Sequence, residues 1–220
     1  MIKRMADNRD DQSLAVQFRR RRFAFFQSLL SRLDRPVHIL DIGGTEEYWK
    51  TMGLDPEDQI FITLLNLTQH DVILPNVTSI TGDARSVQAD DASFDVVFSN
   101  SVIEHVGDYQ DQLQMSKEVI RVGRRYFVQT PNKYFPLEPH FLFPFFQFLP
   151  LVLRVWLLQN FNLGWIVKTP DKTEAREIVE GIRLLSKREF VSLFPNATIY
   201  KEKVFGMTKS FVAYGGWGEK

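Results

Sequence analysis

Five short apolar runs, each ending in small or polar residues, constrain this chain more than any other feature. Val37–Ile42 (VHILDI) runs into Gly43-Gly44, and Gln59–Leu67 follows it. Asn76–Thr81 then ends at Gly82-Asp83, Phe94–Ser99 at Asn100, and Arg125–Gln129 at Thr130-Pro131-Asn132. Nearly continuous apolar runs of this length suit strands that are covered on both faces. Helices fit between several of them. One lies around Glu46–Met52 and stops at Gly53; another spans Tyr109–Val122, with Leu113, Ser116, Val119 and Ile120 on one side. This alternation predicts a parallel sheet with helices on both faces. Only about ten residues join the second and third strands, near the lower limit for a parallel crossover, so a loop or single helical turn is expected there.

Before the first strand, residues 1–12 are polar and are expected to be loosely attached. Residues 13–34 read as a helix capped by Ser13 and ended by Arg35-Pro36. Arg19-Arg20-Arg21-Arg22 lies inside it. Four consecutive residues spread around a helix, so a solvated surface with some acidic partners is expected rather than a nucleic-acid or lipid contact. After Asn132 the composition shifts. Residues 135–167 are crowded with Phe, Leu, Pro and Trp, and polar character returns at Lys168–Glu180. Ser186 opens a capped helix that ends near Pro195, and Thr198–Phe205 with Thr208–Tyr214 reads as a closing hairpin. The chain therefore divides into a tail and helix (1–34), a core (35–132), an aromatic-rich insertion or cap (133–180), and a C-terminal helix and hairpin of the same domain (181–220).

The 220 residues suit one α/β domain. Lys plus Arg total 27, as do Asp plus Glu, so no net field draws the protein to nucleic acid. The absence of cysteine excludes disulfides and thiolate metal sites. The opening residues lack the apolar core of a secretory leader, and no run of about 20 apolar residues occurs. A cytoplasmic protein is expected.

In an open parallel sheet, ligands bind beyond the carboxyl ends of the strands. The candidate residues there are Asp41, Gly43, Gly44 and Thr45 from the first strand, Asn66 from the second, and Asp83 and Ala84 from the third. The fourth supplies Ser99, Asn100 and Ser101, and the fifth Thr130, Pro131 and Asn132. The glycines admit backbone close to a ligand, and the Asp41 carboxylate can hold an amine. Asp-x-Gly-Gly-Thr lacks the Lys-Ser or Lys-Thr of a phosphate loop and the third glycine of a dinucleotide fingerprint. A cofactor without pyrophosphate fits better.

Val37–Thr45 (VHILDIGGT), Gly82-Asp83-Ala84 and Ser93–Val106 (SFDVVFSNSVIEHV) resemble class I methyltransferases that use S-adenosylmethionine (SAM). The likeness is greatest to the group acting on small molecules, quinones and sugars, and it covers residues 35–132. It implies an α/β fold with a doubly wound, mostly parallel seven-stranded sheet, helices on both faces and an antiparallel last strand. It also implies that Asp41–Thr45 hold the methionine part of SAM, that Asn66 lies near the ribose hydroxyls and Asp83 near the adenine amino group, and that Ser99-Asn100 line the pocket floor. Two departures stand out. Glu46-Glu47-Tyr48-Trp49 replaces the usual continuation with another glycine, and neutral Asn66 stands where an acidic residue is common.

His105, just past the fourth strand, and His140, just past the fifth, are the candidate catalytic residues. His105 can act as a base or simply pack against the cofactor, and both readings stand. His140 and Asn132 are expected on the acceptor side, His70 on the surface and His38 in a structural place. Glu104 and His105 are adjacent and point apart, and no second His–carboxylate pair is evident beside them, so no metal is expected. The run 141–153 (FLFPFFQFLPLVL) is too short to span a bilayer. It can be a buried cap, a homo-oligomer contact through 141–158, or a peripheral membrane contact aided by Trp156, Trp165, Arg154 and Lys168. The leading function is methyl transfer from SAM to a small or lipid-linked acceptor. The alternatives are a non-catalytic partner module with a degenerate fold and, disfavoured, a nicotinamide oxidoreductase.

Overall fold

The computed structural model describes residues 13–218; the tail expected over residues 1–12 lies outside them. Helix α1 (Leu14–Leu30) starts at Ser13, whose hydroxyl accepts from Val16 N–H. Strands β1 (Val37–Ile42), β2 (Ile60–Asn66), β3 (Val77–Thr81), β4 (Val96–Asn100) and β5 (Tyr126–Pro131) are mutually parallel. A hairpin of β8 (Thr198–Val204) and β9 (Met207–Gly215) closes the sheet, with β9 antiparallel to β5. The strand order is β3-β2-β1-β4-β5-β9-β8, so the direction of winding reverses between β1 and β4. The expected seven-stranded, doubly wound sheet is the one observed.

Both faces of the sheet are covered. On one, Leu40, Ile42, Val97 and Val128 pack against Met115, Val119 and Val122 of α3 (Tyr109–Val122) and Phe190 and Phe194 at α6 (Lys187–Leu193). Ser186 and Glu189 form a capping box at the start of α6. On the other face, Ile39, Ile62, Leu64, Phe98 and Phe127 pack against Phe23, Phe26, Leu29 and Leu30 of α1 and Trp49 of α2 (Glu46–Thr51). Alternate residues of β1 thus serve different cores, and Asp41 falls on the α1 side.

The link between β2 and β3 has no helix. Glu46 holds it instead: its Oε1 accepts from Ile73 and Leu74 N–H at 2.7 and 2.5 Å, and its Oε2 from Lys50 Nζ at 2.6 Å. These donors hold its carboxyl down at about 2.

Residues 133–180 form a short hairpin, β6 (Leu137–Glu138) with β7 (Phe143–Pro144), then α4 (Leu151–Asn160) and α5 (Lys172–Glu180). They have a small core of their own, with Phe141, Phe146, Val155, Leu158, Ala175 and Val179. The run 141–158 is therefore split: part turns inward, and Val152, Leu153 and Trp156 stay exposed. No helix among the described residues is long and apolar enough to cross a membrane.

Candidate functional site

Asp41 is the penultimate residue of β1, and its side chain is 1% exposed. Trp49 Nε1 donates to its Oδ2 at 2.7 Å, while Oδ1 is buried without a partner. Burial pushes the carboxyl up to about 8, against the opposing pull of the Trp49 bond. The chain then turns at Gly43, with φ +72°, where a Cβ would sit 2.5 Å from Val102 Cγ2. At Gly44 a Cβ would meet Asp41 Oδ2 at 1.7 Å. A side chain at Gly43 would be strained by the left-handed backbone and crowd Val102, and one at Gly44 would displace the Asp41 carboxylate.

Thr45 caps α2 directly, its hydroxyl accepting from Tyr48 N–H. This accounts for the missing third glycine: the helix begins at once, and its Trp49 returns to hold Asp41. Asn66 Nδ2 donates to Gly44 C=O at 3.0 Å. A carboxylate could not make that bond, which gives the neutral residue a physical reason. Gly43 N–H bonds to Leu65 C=O, and Gly82 N–H to Asn66 C=O. The tips of the first three strands therefore adjoin.

A cavity of about 580 Å³ opens at the β1/β4 reversal. Asp41, Gly43, Gly44, Thr45 and Asn100 line it, together with Phe98, Tyr48 and Arg19. Other candidates fall outside that lining. Ser99 is fully buried and donates to Ile42 C=O at 3.2 Å. The expectation that Ser99 lines the pocket floor is corrected, because in a strand residues 98 and 100 share one face and 99 takes the other. Asn66, Asp83 and Ala84 are not among the cavity's lining residues. Asp83 is held by Arg85 at 2.6 Å, which also reaches Asp111 at 2.8 Å, and this pairing lowers the Asp83 pKa.

The arginine run is corrected too. Arg22 is buried, reaching Glu202 of β8 at 3.1 Å and Asn100 Oδ1 at 2.5 Å. Ser210 Oγ donates to the same Glu202. Arg19 lies over the Tyr48 ring at 5.7 Å. Nothing local in the sequence distinguishes these two arginines from the others; the helix period and the α1 packing face select them.

A second group gathers at the ends of β4 and β5. Ser101, with φ +57°, turns the chain over the glycine loop into a short turn, Ile103–His105. Glu104 is fully buried; its Oε2 accepts from Thr130 Oγ1 at 2.9 Å, and its Oε1 has no partner. Burial raises its carboxyl to about 7. His140 meets His105 edge to face, ring centroids 4.8 Å apart. Its Nδ1 lies 2.6 Å from Glu138 Oε1, and Glu138 is itself buried, accepting from His140 and Phe141 N–H. Burial opposes charge on His140, but the Glu138 carboxylate outweighs it and raises the pKa. Desolvation and the neighbouring His140 lower that of His105, although its residue as a whole is exposed. The expectation that no second His–carboxylate pair lies near Glu104-His105 is thus corrected. The spacing Glu138-x-His140 was its one visible sign, and the cap hairpin brings it into place.

Asn132 ties β5 to β9: its Nδ2 donates to Thr208 C=O, and its Oδ1 accepts from Tyr134 N–H. His70 is exposed, as expected, and exposed His38 stacks on Phe61 at 5.3 Å. A second cavity of about 570 Å³ lies under the cap, with Glu138, Gln147 and Arg154 in its wall.

Residues 41–127 match the family model described as a methyltransferase domain. An uncharacterised protein of Mycobacterium tuberculosis is 39% identical over 62 residues, 28% of this chain. The match spans only 21% of that relative's length. Among solved structures, a SAM-dependent methyltransferase from Methanosarcina mazei superposes with a TM-score of 0.50 at 16% identity, covering 85% of this chain and 95% of that one. The CurJ carbon methyltransferase gives a TM-score of 0.53 at 11% identity, covering 86% and 51%. At these identities the likeness is one of fold.

Proposed function

We propose that this chain, whose residues 41–127 match the methyltransferase-domain model, is a class I methyltransferase that transfers a methyl group from SAM to a small or lipid-linked acceptor. The observation that carries this is the buried, unpartnered Oδ1 of Asp41 beside two glycines where a Cβ would crowd Val102 or the Asp41 carboxylate itself. A primary amine suits that oxygen, and a cation there would offset the cost of burying the carboxylate. Arg19, in the same wall, suits a carboxylate. An amino acid without a phosphate matches this pair of charges. Asn66, with its amide nitrogen committed to Gly44, keeps its amide oxygen for a ribose hydroxyl, and Asp83, one residue past Gly82 and paired with Arg85, is offered for the adenine amino group.

When bound, SAM supplies an activated methyl carbon, whose bond to the sulfonium breaks with the electron pair staying on sulfur. The chain must then hold a nucleophile in line, exclude water and receive a proton. Glu104, His105 and His140 are the titratable groups offered for activating the acceptor. The cavity under the cap supports an acceptor site beside them. Gln147 Oε1 and Arg154 Nε are buried without partners, so an acceptor bearing both hydrogen-bond donors and acceptors suits it.

Protein purified without added cofactor is expected to release SAM or its demethylated product on denaturation. His105→Ala is expected to keep SAM affinity in calorimetry while losing about 100-fold or more in methyl transfer. Full turnover in that variant would remove His105 from the reaction. SAM binding with no turnover on any acceptor would favour the non-catalytic module.

The finer reading is access to a lipid-linked acceptor. Val152 (81% exposed), Leu153 and Trp156 form one stripe of α4, and Phe161, also exposed, meets Trp156 edge to face. Apolar side chains grouped at the rim of a cap are what an interfacial contact requires. Co-sedimentation with phosphatidylcholine vesicles is expected for the wild type and not for Val152→Asp/Trp156→Glu. Equal recovery of both proteins in the supernatant would leave a soluble acceptor or a subunit contact.

A further inference from the structure

We propose that Glu104, His105 and His140 bind one divalent transition-metal ion of borderline softness, such as Zn²⁺. The proposal rests on the methyltransferase reading for the ion's role but not for the site itself. One atom from each of the three side chains lies within 4.8 Å of the other two. Donors about 2.1 Å from an ion stand roughly 3–3.5 Å apart, so modest side-chain rotation closes the set. Two imidazoles and one carboxylate form a donor set for such ions, with positions left open.

Two further observations point to a cation. Glu104 is 0% exposed and its Oε1 has no partner, whereas Oε2 is held by Thr130. A buried carboxylate oxygen without a donor is costly unless a positive charge reaches it. His140 is also prepared for coordination. Glu138 lies 2.6 Å from its Nδ1, and a proton on that nitrogen leaves the Nε2 lone pair free. Glu138 is itself fixed by two backbone N–H groups and is 2% exposed. A carboxylate–histidine–metal arrangement of this kind sets the tautomer and the ring orientation. Glu138 is therefore a positioning residue rather than a ligand.

The site combines the turn after β4, the end of β5 through Thr130, and the cap hairpin. It is incomplete until the cap is in place. An ion there would bind an acceptor oxygen, lower its pKa and let its proton leave to solvent before methylation. His105 and His140 then serve as ligands, not bases, and the acceptor class narrows to one offering a hydroxyl or phenol.

The test uses the full chain after treatment with a chelator. Zn²⁺ alone is titrated by calorimetry, and Co²⁺ alone is followed by visible absorption. One Zn²⁺ per chain in the micromolar range or tighter is expected. Co²⁺ should give the intense d–d bands of a histidine-ligated ion of low coordination number. Glu104→Gln and His140→Ala should each weaken Zn²⁺ by roughly 100-fold, and Glu138→Gln by about 10–100-fold. His70→Ala should change nothing. SAM titration of the same variants reports their folding, and where a variant loses SAM too, the wild-type Co²⁺ spectrum decides. Aqueous-type Co²⁺ bands, no saturable Zn²⁺ binding, or wild-type Zn²⁺ affinity in a folded His140→Ala would overturn the site. Zn²⁺ binding without SAM binding removes the methyltransferase reading and leaves the site; SAM binding without Zn²⁺ does the reverse.

Discussion

Asp41→Asn is expected to lose SAM binding and yet to be more stable than the wild type at pH 8. Burial pushes the Asp41 carboxyl from 3.8 up to about 8. The folded chain therefore keeps a proton that the unfolded chain releases once the pH passes the lower value. The contribution to stability is fully present at acid pH and is lost as the pH rises towards the folded value. A shift of this size corresponds to several kcal/mol over that window, at about 1.4 kcal/mol per unit. Asn stays neutral and can still accept from Trp49 Nε1, so it escapes the loss. SAM reverses the balance in the wild type, since its amine favours the charged carboxylate. Thermal melts at pH 5 and pH 8, with and without SAM, read both effects. At pH 8 without SAM the Asn variant should melt higher; with saturating SAM only the wild type should gain, as linkage requires. Calorimetry should show no SAM binding to Asp41→Ala or to Gly43→Val, where a side chain meets both the left-handed backbone and Val102. Normal affinity in either variant would dismantle the proposed pocket.

Arg22→Met should destabilise the protein by about 3–5 kcal/mol, a fall in Tm on the order of 10 °C. Arg22 and Glu202 are both nearly solvent-free, and the pair joins α1 to β8 across the end of the sheet. Removing the guanidinium leaves Glu202 buried with Ser210 as its one side-chain donor among the described residues. It also frees Asn100, which lines the cavity. Replacing both partners, Arg22→Met with Glu202→Leu, should recover most of the loss, because two apolar groups replace two charges. A double-mutant cycle on denaturant midpoints measures the coupling. A loss of less than about 1 kcal/mol for Arg22→Met would mean that Glu202 reaches water and that the pair does not brace α1.

The strands and the turn at Gly43-Gly44 were legible because their signals are local. Apolar runs repeat with the strand period, glycine marks the place where backbone must pass a neighbour, and Ser13 and Ser186 announce helix starts by their own hydrogen bonds. The side of the sheet that carries the cleft followed from the carboxyl ends of the parallel strands, and the reversal between β1 and β4 came with the folded strand order. Ser99 was misassigned for want of a facing rule: the strand was found, but the side of it that meets the cavity was not.

Alone, the sequence determined the α/β class, the parallel strands with their short unhelical β2–β3 link, and the turn where Asp41 meets two glycines. Each depends on residues close together in the chain, whose periodicity and backbone freedom act before any distant contact forms. Tertiary structure alone decided that Arg22 reaches Glu202, that Asn66 ties down Gly44, and that Glu138 and His140 close on Glu104 and His105. Those contacts join segments that no local rule relates, and burial fixes their charge and hydrogen bonding only once the helix, the sheet and the cap have packed together.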